Sequence, residues 1–183
     1  MLLKGVCAKI TVTTEEIHFW NKKNRPHCSV FGTKRTVPIV PFSEGRQMVC
    51  EIVHDPVFLS MKCAEAGPKD VKIAEDLIET LRANLDRCVG MAANMIGERK
   101  RIIAIAKGPM IVAMMNPKII GGFEEYEAEE SCLSLEGTRK VKRYRSIRLK
   151  WQDMHMKQHI GLLDGFQAQI VQHEVDHCNG ILV

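Results

Sequence analysis

The stretch GFQAQIVQHEVDHCNG, residues 165–180, decides how the rest of the chain is read. Phe166, Ile170 and Val171 recur at helical steps and Asn179-Gly180 supplies a stop, so a helix is predicted from about Gly165. His173 and His177 lie one turn apart, on the stripe that also holds Phe166 and Ile170. Two imidazoles therefore point where core residues would. Their spacing lets both bind one metal ion, and Glu174, one position round, can reach a water on that ion as general base. With 7 His in 183 residues, independent placement would give this HExxH arrangement only about 0.02 times per chain. A metal site is favoured over two hydrogen-bonded core histidines.

Upstream, Ile73, Ala74, Leu77, Ile78, Leu81 and Leu85 recur at three- and four-residue steps, predicting an amphipathic helix from Lys69 to about Cys88. Gly67-Pro68 precedes it and Gly90 follows. Ile102 to Ala106 and Ile111 to Met115 are short apolar runs separated by Gly108-Pro109, which read as a strand pair, with Asn116-Pro117 after the second. Ile147, Leu149 and Trp151 alternate with Arg148, Lys150 and Gln152, predicting a strand with one buried face and one solvated, charged face.

The bulk composition narrows the class. At 183 residues, 45% hydrophobic and 26% charged, the chain has the makeup of one globular domain. No apolar run approaches the roughly 20 residues that span a bilayer. Cysteines number seven, with no CxxC pair, so the expected compartment is reducing and cytoplasmic. Lys and Arg outnumber Asp and Glu by 8 to 3 over residues 1–47, against 18 to 19 over the remainder. The main body is thus near neutral, which argues against a specific nucleic-acid footprint. Residues 1–47, with three prolines and a basic cluster at Lys22, Lys23 and Arg25, are expected to be an irregular extension or the product of a misplaced start ahead of Met48.

A hydrolytic site needs a third protein ligand and an open position. His155 and His159, in a polar, turning segment, are candidates, as is Cys132 in EESCLSLEG, between the strand-like FEEYEAE and the basic strand beginning near Arg139. Spacing alone leaves the choice open.

Three blocks in order, CVGMAANMIG at 88–97, ESCLS at 130–134 and QHEVDH at 172–177, resemble the motifs of the peptide deformylases, and the similarity runs from about Met48 to Val183. The resemblance implies an α+β fold in which antiparallel β-sheets surround a central helix carrying HExxH. It also implies hydrolysis of the formyl group from the N-terminal formylmethionine of nascent polypeptides. Carried over by position, it makes Cys132, His173 and His177 the metal ligands and Glu174 the catalytic acid/base. The backbone amide of Leu133 would help hold the oxyanion, and the strand edge at Val89 and Gly90 would pair with the peptide. The expected ion is Fe(II), with Zn(II) or Ni(II) also able to occupy the site. Expected partners are N-formylmethionyl peptides and, transiently, the ribosome, with no membrane. A thiolate and two neutral imidazoles leave a divalent ion with net positive charge, enough to bring the pKa of bound water towards about 7.

The motifs also depart from the family's usual G-x-G-x-A-A-x-Q: Cys88 replaces the first glycine and Met95 the glutamine. A thioether cannot donate a hydrogen bond, and losing one oxyanion donor costs roughly 10² to 10³ in rate. Ser131 stands where glycine is usual. These changes keep open an alternative, a weakened or inactive deformylase-like paralogue that binds metal and peptide.

Overall fold

A computed structural model describes residues 48–183. The extension over residues 1–47 lies outside the described residues. Strands β1 (Gly90–Ala92), β2 (Ile102–Lys107), β3 (Met110–Glu130), β4 (Arg139–Gln152) and β5 (Gln158–Asp164) form one sheet in sequential order. Every pairing is antiparallel. Among the described residues, three α-helices accompany it: the short α1 (Pro56–Leu59), α2 (Val71–Ala83) and α3 (Gly165–Cys178). None is long and apolar enough to cross a membrane.

The run IIAIA in β2 is apolar at every position because both faces of that strand are covered. Ile102 and Ala104 belong to a core with Ala74, Leu77 and Leu81 of α2, Met91, Met95 and Met115. Ile103 and Ile105 turn the other way, into a core with Ile147 and Leu149 of β4 and Ile170, Val171 and Val175 of α3. The period-2 alternation of one strand thus divides the interior between two helices.

Helix α2 is shorter than its apolar spacing suggests. It stops at Ala83, where the Asn84 side chain donates to the Thr80 carbonyl at 2.7 Å, and Leu85 beyond it is 44% exposed. The asparagine competes for a helix carbonyl and the chain turns, so the last apolar residue of the pattern falls outside. The second apolar run does not end at Asn116-Pro117 either. Asn116 adopts φ 52° at an irregularity in the β3–β4 pairing, and the strand continues to Glu130. Asparagine tolerates that conformation, and its side chain compensates by exchanging hydrogen bonds with the backbone of Ala66 at 2.7 and 2.9 Å.

Helix α3 is seated by a glutamine that acts as a surrogate strand residue. The Gln172 side chain accepts from the Tyr144 amide at 2.8 Å and donates to the Tyr144 carbonyl at 2.9 Å. Asn94, in the 3-10 turn Ala93–Ile96, donates to the His177 carbonyl at 3.0 Å and so ties the far end of the helix to the segment after β1. Both histidines are thereby carried on a helix fixed at two points.

Candidate active site

His173 and His177 are fully buried on α3, with ring centroids 4.9 Å apart and planes at 73°. Their Nε2 atoms lie 3.3 Å apart, and the Cys132 sulfur is 3.2 Å from Nε2 of His177. All three donor atoms fall within 4.8 Å of one another. A tetrahedral ion with usual metal–sulfur and metal–nitrogen bonds has donor-to-donor edges of about 3.3 to 3.6 Å, so this trio fits one. Cys132 reaches the helix because the turn after β3 bends inward at Glu130, and the Ser134 amide donates to its sulfur at 3.4 Å. His155 and His159 are elsewhere: His159 pairs with Asp153 at 2.7 Å, and His155 lies in the turn before β5.

Glu130 is a central residue of the site that the sequence motifs alone did not single out. Its carboxylate is fully buried and accepts four hydrogen bonds. Oε1 receives Arg143 Nε and Gln169 Nε2, both at 2.9 Å, while Oε2 receives an Arg143 terminal nitrogen at 2.8 Å and His173 Nδ1 at 2.9 Å. The last bond leaves Nε2 of His173 to face Cys132 and His177, as the carboxylate partner of a ligating histidine does. Burial opposes ionisation of Glu130, yet the bonds from His173 and Arg143 prevail and hold its pKa down to about 2. Its detection would have required knowing that Arg143, on a strand of otherwise solvated cations, turns inward. Arg143 also donates to Asp176 at 2.8 Å, so Asp176 braces the arginine and not a ligand histidine.

The electrostatics favour positive charge between the three donors. Burial would lower the pKa of His173, but its contacts with Cys132 and Glu130 raise it to about 9. Glu174 is driven the opposite way in chemical terms: burial first, then the negative charge on Cys132 and Glu130, pushes its carboxyl well above the usual range. One of its oxygens, Oε2, is buried without a hydrogen-bond partner among the described residues, as is Nδ1 of His177. A buried carboxyl with a free oxygen and an elevated pKa is suited to carrying a proton.

Among the described residues, strand β1 stands at the end of the sheet and pairs only with β2. The Val89 carbonyl accepts from the Ala106 amide at 2.8 Å and is therefore committed to β2. Backbone groups alternate along a strand, so those of Gly90 point away from β2. There the Cys88 thiol donates to the Gly90 carbonyl at 2.7 Å. Gly90 itself abuts the general-base candidate: a Cβ added to it would lie 2.5 Å from Oε1 of Glu174 and 2.6 Å from Ile170. Met95 is completely buried and packs in the same core group as Cys132, with Leu133 against its rim.

Comparison with known proteins identifies the family. The model of a family described as polypeptide deformylase matches residues 49–183. The chain belongs to the peptide deformylase family. A deformylase of Clostridium beijerinckii is 49% identical over 136 residues, covering 74% of this chain and 100% of that relative. One from Dictyoglomus thermophilum is 36% identical over 141 residues, covering 74% and 91% respectively. Among solved deformylase structures, a class I type b enzyme of Acinetobacter baumannii with Met-Ala-Ser bound aligns with TM-score 0.67 at 29% identity, over 74% of this chain and 97% of that one. That of Thermus thermophilus aligns with TM-score 0.66 at 30% identity, over 74% and 83%. The α+β architecture and the hydrolase class are those of the deformylase family.

Proposed function

We propose that this chain removes the formyl group from the N-terminal formylmethionine of nascent polypeptides, with Cys132, His173 and His177 holding one divalent cation. The observation that carries the reading is the convergence of Cys132 Sγ and the two Nε2 atoms, at 3.2 and 3.3 Å, beside the buried Glu174. Fe(II) is the proposed ion, with Zn(II) or Ni(II) as substitutes. Bound there, it would polarise the formyl oxygen and acidify a water.

The protein's own groups have separable tasks. Glu174 takes the proton from the attacking water and returns it to the leaving amine, a role supported by its high pKa and unpartnered oxygen. Glu130 keeps His173 in the tautomer that offers Nε2 inward. The amide of Leu133 contributes to stabilising the oxyanion, while Met95 in the usual glutamine position supplies no donor. The side of β1 away from β2 at Gly90, with Val89 behind it, aligns an extended peptide. The A. baumannii relative holds a tripeptide beginning with methionine, which supports an N-terminal methionine as the residue accommodated. Action on nascent chains places the enzyme in the cytoplasm, in transient contact with the ribosome.

The test is formate release from a formyl-Met peptide by protein purified anaerobically with Fe(II). Wild type should turn over, and Glu174→Gln should lose turnover while retaining metal. Equal inactivity of both metal-loaded proteins would favour the non-catalytic paralogue, the reading that Met95 supports.

A further inference from the structure

Three side chains outside the proposed ligand set, Tyr126, Gln169 and Glu130, form a continuous line from β3 to the ring of His173. The Tyr126 hydroxyl donates to Gln169 Oε1 at 2.9 Å, Gln169 Nε2 donates to Glu130 Oε1 at 2.9 Å, and His173 Nδ1 meets Glu130 Oε2 at 2.9 Å. Gln169 and His173 are one turn apart on α3 and project from one face. They therefore grip the two oxygens of one carboxylate, which fixes the carboxylate plane relative to the helix. The plane in turn fixes the rotation of the imidazole.

The amide of Gln169 can serve this role in only one orientation. Its NH₂ must face Glu130, because a carbonyl oxygen turned towards an ionised carboxylate would be repelled. Tyr126 secures that orientation by donating to the opposite end of the amide. The tyrosine is held in turn: it lies opposite Arg143 in the β3–β4 register, and the Arg145 guanidinium sits 5.1 Å from its ring centroid. Arg143 alone would leave one lone pair of Glu130 Oε1 without a donor in a fully buried position.

We infer that Gln169 is a positioning residue for the metal ligand His173, acting through Glu130, and that Tyr126 acts through Gln169. The inference rests on the metal-site reading above and extends it to residues that touch no ligand atom. Partners of this kind change metal affinity by roughly 10- to 100-fold when they contact the ligand directly. Gln169, one bond further out, should matter by about tenfold or somewhat less, and Tyr126 by about threefold.

The experiment is Co(II) binding to the full, metal-free chain, measured by competition with a chromophoric chelator, alongside the melting temperature of the metal-free protein. Wild type should take up one Co(II). Gln169→Leu should bind it about tenfold more weakly and alter the visible Co(II) absorption, and Tyr126→Phe about threefold more weakly. Adding Tyr126→Phe to Gln169→Leu should cause no further loss, since the hydroxyl then has nothing to orient. Should Gln169→Leu fail to fold, Tyr126→Phe decides alone. Unchanged Co(II) affinity and spectrum in the variants, with only melting affected, would reduce the line to a structural network and overturn the inference. A wild type that binds no Co(II) would instead remove the metal-site reading, and the inference with it.

Discussion

Gly90 lies so close against Glu174 that a Cβ on the glycine would stand 2.5 Å from Oε1 of the carboxyl. The edge of β1 and the proposed proton carrier are thus in direct contact, and that contact requires the absence of a side chain. Gly90 is not confined to the left-handed region, so the constraint is spatial. The same added atom would meet Ile170 at 2.6 Å, which closes the other direction of escape.

Gly90→Ala should therefore displace Glu174 without touching the ligand trio. Formate release is expected to fall by at least about 10²-fold, since small misplacements of a reacting group cost that much. Bound metal should remain at one equivalent. Metal analysis paired with steady-state kinetics checks this, and an alanine variant with wild-type kcat would show that the groove yields more easily than the packing implies.

Cys88 offers a second, opposite effect. Its thiol donates at 2.7 Å to the Gly90 carbonyl, the acceptor on the side of β1 away from β2. An extended peptide pairing at this edge must share or displace that bond. Cys88→Gly, which restores the family's usual residue, should lower KM several-fold with a smaller change in kcat. A raised KM would mean that the thiol supports the edge and does not compete for it.

Met95 is expected to limit the chemical step. It is buried in the core group that contains Cys132, where it fills space but donates nothing. Met95→Gln should raise kcat by about tenfold or more if the missing donor is the deficit. The same substitution buries an amide, so the melting temperature should fall. Unchanged kcat would show that another group already serves the oxyanion.

Acid stability should report on Glu130. Its folded pKa of about 2 lies below the ordinary carboxylate value, so between those values the unfolded chain binds more protons than the folded one. The contribution of Glu130 is fully present above about pH 4.5 and is lost as pH falls towards about 2. Urea midpoints of the metal-free protein should decline across this window, and less steeply in Glu130→Gln. Parallel pH profiles for the two proteins would remove Glu130 as a source of acid lability.

The candidate trio Cys132, His173 and His177 was legible through helical spacing together with ordered motifs, and the strands through alternation. His173 and His177 could be placed on one helix face because α-helical geometry makes the spacing decisive. Cys132 could not be chosen over His155 or His159 by spacing, since the bend that brings it inward depends on the β3–β4 turn. Glu130, Arg143 and Gln169 were illegible for a related reason: each looks like an ordinary polar residue until three elements meet around it. The end of α2 was overestimated because Leu85 continues an apolar period that Asn84 interrupts. Local pattern reports which face is buried, but not which polar group will win a backbone carbonyl.

The most direct measurement is X-ray absorption at the metal edge of the loaded protein, because it counts donors around the ion without relying on turnover. One sulfur at about 2.3 Å and two imidazole nitrogens at about 2.0 to 2.1 Å are expected, with the sulfur lost in Cys132→Ser. A first shell without sulfur, or a sulfur signal that survives that substitution, would contradict the proposed Cys132, His173 and His177 centre.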